Sequence, residues 1–198
     1  MSVNNPNFIA LSELTSGIAG ETAVRVVEDV PPTVALAQSL PRNSHIANGS
    51  LLLSGREQVA LIYLQAGMVV RSITFVSATT AAVTPTNQWF SIRDLNRVLI
   101  RVTVDDTTTA WNANQAKTLL LSSAWTVPYS GFFYVGIMVA AGTVPSFTQA
   151  TMTTGVSAIV PISVGFDNTN LGLTTPATAP ATSAAYTAAQ SVPYFYLA

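Results

Sequence analysis

Few residues in this chain are of a type that does chemistry, so each can be weighed on its own. His45 is the only histidine. It stands in RNSHIANGS, a junction with no Cys, His or acid at metal-ligand spacing. A Ser-His-Asp set would have to use it, and no G-x-S-x-G nucleophile elbow accompanies it. His45 therefore reads as a surface or junction histidine.

Asp105 and Asp106 follow the strand-like VLIRVTV and precede TTTAW. Adjacent carboxylates at a strand end suit a hard cation such as Ca²⁺, with oxygen ligands around it. They equally suit a turn, because an Asp side chain caps its own backbone two residues on. The spacing is not that of an EF-hand, and the turn is the expectation. Successive side chains of a strand point to opposite faces, so this pair cannot flank one glycosidic bond. Asp94 and Asp167 are the carboxylates that folding would have to bring to them.

Trp89, Trp111 and Trp125 are the remaining candidates. In NQWFSI, Trp89 and Phe90 face opposite ways, one toward a core and one toward the surface. Trp111 sits in the polar TTTAWNANQ. A flat ring there could stack on a pyranose while Asn112, Asn114 and Gln115 bond its hydroxyls, as a host-surface glycan would require. The competing expectation is that these tryptophans plug the ends of a β-sandwich or meet a neighbouring subunit. Neither a Gly-rich phosphate loop nor a paired His-Glu metal motif occurs, so no cofactor, metal or catalytic set is expected.

The whole chain must position these residues with little charge. Of 198 residues 49% are hydrophobic and 9% charged, with a mean hydropathy of +0.42. Soluble proteins usually carry about 25% charge. The polar surface must come from Thr, Ser, Asn and Gln, as in all-β extracellular and particle-assembled proteins. A net charge of -1 without a basic cluster lacks the phosphate attraction that nucleic-acid binding needs. No cysteine is present, so a disulfide framework and a thiolate metal site are excluded. MSVNNPNFIALSELTSG has neither a basic start nor a long apolar core, and is not expected to be a signal peptide.

GFFYVGIMVAAGTVP, from Gly131 to Pro145, is the most apolar stretch. Its unbroken run is about eleven residues, against the ~20 a membrane helix needs. Aromatic and β-branched residues between Pro and Gly flanks predict a strand instead, covered on both faces and central to a sandwich. No membrane partner is expected.

Residues 1–48 read as an irregular arm for attachment, punctuated by Pro31, Pro32 and Pro41. Within it TAVRVVEDV suits a strand, and TVALAQSL suits two helical turns with Thr33 as N-cap. From residue 49 to 198 strand signals recur every 8–12 residues: GSLLLSG, QVALIYLQAG, VVRSITFVSAT, NQWFSIRD, VLIRVTVDD, AKTLLLSS, WTVP, GFFYVGIMVAA, FTQATM, AIVPISVGF and VPYFYLA. In VLIRVTVDD, Val98, Ile100, Val102 and Val104 alternate with Leu99, Arg101 and Thr103. Ile73 and Phe75 likewise oppose Ser72 and Thr74. RDLNRV reads as a hairpin turn. The fold class expected is all-β, a jelly-roll-like antiparallel β-sandwich. The Ala/Thr/Pro-rich DNTNLGLTTPATAPATSAAYTAAQS should cross the sandwich surface and return VPYFYLA to a sheet.

Between Pro85 and Pro145 the order TNQWF, a strand-turn-strand ending in DD, then TAW, K-T-L and YVG resembles a family of small β-sandwich proteins. These are encoded by tailed phages of actinobacteria and by prophage-like regions. The resemblance covers a third to a half of the chain, with TNQWF and the spaced TAW its most specific elements. It implies a structural role on the virion surface, as capsid decoration, fibre base or minor tail protein, and it transfers no catalytic residue. The partners implied are the major capsid protein or tail proteins. Apolar excess in a subunit is used at subunit contacts, and closed symmetry, as a homotrimer, is expected.

Overall fold

The computed structural model describes residues 35–41, 44, 46–49, 52–107, 109–157 and 159–198. The chain divides into two compact units, Met1–Val30 and Pro31–Ala198, and the described residues belong to the second. His45, Thr33 and TAVRVVEDV lie outside the described residues.

Thirteen strands follow one another among the described residues of this unit. They are β1 (Ala37–Gln38), β2 (Ile46–Gly49), β3 (Gln58–Leu64), β4 (Val69–Val76), β5 (Val83–Arg93) and β6 (Leu99–Val102). Then come β7 (Ala116–Thr126), β8 (Gly131–Thr143), β9 (Phe147–Thr151) and β10 (Val164–Phe166). β11 (Thr187–Ala188), β12 (Ser191–Pro193) and β13 (Phe195–Leu197) complete the set. They build a six-stranded sheet in the order β11-β10-β3-β8-β5-β6, a four-stranded sheet β1-β13-β4-β7, and a three-stranded sheet β12-β9-β2. All pairings between these strands are antiparallel. The class is thus all-β, with antiparallel sheets packed as sandwich-like layers.

Phe75 of β4 shows where the layers meet. Its ring lies 4.8 Å from Phe90 of β5 and 5.0 Å from Phe195 of β13, joining the four- and six-stranded sheets. Ile73 and Phe75 enter this core while Thr74, on the other face, bonds Thr118 Oγ1 at 2.7 Å. The alternation read in this strand is the observed one.

GFFYVGIMVAA forms β8, between β3 and β5 at the centre of the large sheet. Phe133, Val135, Ile137 and Val139 join the core, and the intervening Tyr134 and Met138 are also buried. The second cover comes from residues 167–186 of the Ala/Thr/Pro stretch, which strap the outer face of this sheet as expected before the chain joins its edge as β11. Thr174 O accepts the Trp89 indole N–H at 2.7 Å, and Leu99 N donates to Ala181 O at 2.8 Å. Trp89 and Met138 pack with Leu173 and Ala179 of the strap in a second apolar cluster. Trp89 and Phe90 do take opposite faces, but both are fully buried, so neither reaches the surface.

Four expectations are corrected. TVALAQSL is not helical at its centre: Ala37 and Gln38 pair with Leu197 and Tyr196 as an edge strand. A short segment's helix propensity is worth tenths of a kcal/mol per residue, and a waiting strand edge outweighs it. With β1 and β2 in the sheets, the sandwich begins before residue 49. GSLLLSG does not form a strand at 52–55, which turn through Gly55 at φ +70°. In VLIRVTVDD a bulge sets Ile92 opposite Arg101 and Arg93 opposite Leu99, leaving Ile100 unpaired. That extra residue breaks the period of two, so Thr103 is buried while Val98 and Val104 are exposed. RDLNRV is the turn it was read to be, with Val98 N donating to Asp94 Oδ1 at 2.8 Å.

Candidate functional site

The Trp111 region lies in the connection from β6 to β7, at one end of the sandwich. Trp111 is fully buried. Its ring meets Phe90 and Phe147 edge-on at 6.0 and 5.4 Å, and its N–H donates to Gln115 O at 3.0 Å. An indole whose N–H has a partner inside the fold gains more from these contacts than from a polar loop. It is the plug, and no face of it is open for a sugar. Of the side chains expected to surround a glycan, Asn112, Asn114 and Gln115 are exposed. They shape the turn: Gln115 Oε1 accepts Asn112 N at 3.3 Å, and Asn114 adopts φ +54°.

Beside the plug is the chain's only lysine. Lys117 sits opposite Phe75 on the inward face of β7 and is 7% exposed. Its ammonium lies 5.6 Å from the Trp111 ring and donates to Asp106 Oδ2 at 2.6 Å and Thr109 O at 2.9 Å. A hollow of about 260 Å³ opens here, walled by Asp106, Thr109, Gln115 and Lys117 with Trp111 behind. Burial pushes the Asp106 carboxyl up. The Lys117 hydrogen bond, the Thr109 N–H and the Lys117 charge outweigh it and hold the group below the usual carboxylate range.

Asp105 turns the other way and accepts Gln88 N at 3.0 Å and Asn87 Nδ2 at 2.6 Å. The two adjacent carboxylates thus pin the strand end to β5 and to Lys117, and serve the turn. Asp94 caps its hairpin, and Asp167 bonds Thr169 N and Asn170 N, both at 3.0 Å.

A second polar site, not read from the sequence, lies under the strap. Glu57 and Arg93 are both fully buried on the outer face of the six-stranded sheet. Arg93 Nε donates to both carboxylate oxygens, at 3.2 and 3.1 Å, and Nη2 lies 3.0 Å from Oε2. Ser91 Oγ donates to Glu57 Oε1. Arg93 Nη1 reaches the strap at Pro180 O, 2.9 Å away, and Arg97 Nε donates to Ser183 O at 3.2 Å. Gly136 of β8 makes the space, since a Cβ there would collide with the Glu57 carboxylate and the Ser91 hydroxyl.

Two further groups close the site. Burial pushes Tyr186 of the strap well above the ordinary tyrosine value, and the Glu57 charge adds to it. Asp167, fully buried, is raised by burial, but the Asn170 and Thr169 amides and the Ser183 hydroxyl overcome this and keep it low. Tyr134 and Tyr186 stack edge to face at 5.1 Å over the strap's margin. The signal available in the sequence is a charge at the end of an apolar strand, SIRD, in a chain with so few charges. Nothing in the local sequence joins it to Glu57, 36 residues earlier. No protein-family model, curated protein or solved structure matches this chain.

Proposed function

We propose that this chain is a non-enzymatic structural protein of a tailed-phage virion, a surface-exposed capsid decoration or fibre-base subunit. The observation that carries the reading is how its ionisable groups are used. All five side-chain carboxylates among the described residues, and the chain's single lysine, are bonded within the fold. Groups spent this way hold a turn, a plug and a strap. Asp106 and Lys117 wall a hollow, but there they bond each other, and general acid–base work needs a group held for a substrate. The resemblance of Pro85–Pro145 to virion β-sandwich proteins and the 9% charge support the same reading. In it the sandwich is jelly-roll-like, the part of residues 1–48 that precedes β1 docks on the shell, and the energy of attachment comes from buried apolar area.

The glycan-binding alternative is weakened by the burial of Trp111, which removes the stacking ring on which it was built. Co-sedimentation of the full chain with purified shells and with purified tails tests the proposal. Saturable binding to shells, unaffected by added sugars, is the expected result. Binding to neither particle, or turnover of a glycoside, would overturn it.

A further inference from the structure

Exposed apolar side chains gather at one end of the large sheet. β3 ends at Leu64 opposite Gly131, where β8 begins, and β7 ends beside Val69, where β4 begins. Val164 pairs with Ala60 and Ser163 O accepts Leu61 N at 2.8 Å, so the 159–163 loop runs beside this same end of β3. Tyr63 and Phe132 are cross-strand partners here, 51% and 46% exposed, with rings edge to face at 5.3 Å. Tyr129, Ile159 and Val160 add to them, Val160 being 86% exposed. The strap covers the outer face as far as Tyr134 through Tyr186 and leaves Phe132 and Tyr63, the next step along the sheet, open.

We infer that this end is an interface between copies of this chain. Residues of this size present about 150–250 Å² each when whole, so the five leave roughly 600 Å² open. That approaches the ~800 Å² one partner brings to a stable interface, and it is at the upper limit of the patches monomers expose. Charge argues for a second copy. Asp94 and Arg97 in the adjoining hairpin turn are opposite in sign and both bonded into the fold. The chain carries a net charge of only -1, so two copies meet with little repulsion. Apolar, aromatic contacts of this kind characterise interfaces between identical subunits.

The inference deepens the assembly reading by naming the surface and its partner, and it is tested separately from attachment to a particle. Sedimentation velocity of the full chain over the micromolar range should show self-association. The pair Tyr63→Ser and Phe132→Ser should weaken it by about 100-fold or more, as loss of two aromatic hot spots implies, with the melting curve kept. Tyr63→Phe should restore it. A wild-type chain that stays monomeric, or a double variant that associates as well as wild type, would overturn the inference while leaving shell binding to decide the wider proposal. A monomeric wild type whose double variant no longer binds shells would assign this end to the shell protein instead of a second copy.

Discussion

Arg93 and Glu57 face each other across the outer side of the six-stranded sheet with no exposed surface on either, Nη2 lying 3.0 Å from Oε2. The pair holds down the strap of residues 167–186, because the same guanidinium also bonds Pro180 O. Desolvating both charges costs several kcal/mol, which their attraction and added hydrogen bonds must recover. The pair is best understood as a device that places the strap in one register. Removing one partner leaves an uncompensated buried charge. Arg93→Met should therefore destabilise the fold by roughly 3–5 kcal/mol, measured by urea unfolding. Pairing it with Glu57→Leu should recover most of the loss. A double variant as unstable as the single would mean that packing, and not charge, is what Arg93 supplies.

Gly136 is the position that admits the pair. Gly136→Ala places a methyl group where the Glu57 carboxylate and Ser91 hydroxyl already lie. The expected cost is about 1–3 kcal/mol from overpacking. Its loss should be smaller in a Glu57→Ala background, which a double-mutant cycle reads directly.

Trp111 separates the plug from the glycan contact. Trp111→Ala should cost about 3–5 kcal/mol, as large aromatic truncations in cores do, and lower Tm by roughly 10 °C or more. Asn112→Ala, at an exposed position, should change Tm by little. A stable Trp111→Ala protein that loses binding to a glycan surface would restore the sugar reading.

Stability should fall at both extremes of pH, for opposite reasons. Asp106 and Asp167 have folded pKa values below their unfolded ones. Their contribution is complete above the ordinary Asp value of ~3.9 and is lost as pH drops through the folded values. Tyr134 and Tyr186 are raised. What they contribute is complete below about pH 10 and is lost as pH rises through their folded values. Tm measured from acid to alkaline pH should be flat near neutrality and decline at each end, with Asp106→Asn flattening the acid limb. An unchanged acid limb in both Asp106→Asn and Asp167→Asn would contradict the assignment.

The sequence carries the fold where a pattern is local. Gly131–Thr143 announces a doubly covered strand by its unbroken apolar run, and RDLNRV announces its turn by composition. It fails where the deciding partner is distant. Ala37–Gln38 is a strand only because β13, some 160 residues later, offers an edge. Trp111 looks like a surface residue because its neighbours are polar, and its true neighbours, Phe90 and Phe147, come from other strands. The Glu57–Arg93 site is invisible for the same reason, since no spacing rule ties the two charges.

The central claim is that this chain is a structural part of a phage particle. Electron cryo-microscopy of whole particles, with the sandwich fitted into the reconstruction, tests it most directly. The account predicts density for the sandwich repeated over the shell exterior, projecting outward from an attachment made by the residues that precede β1. Particles complete and infectious without any such density would contradict it.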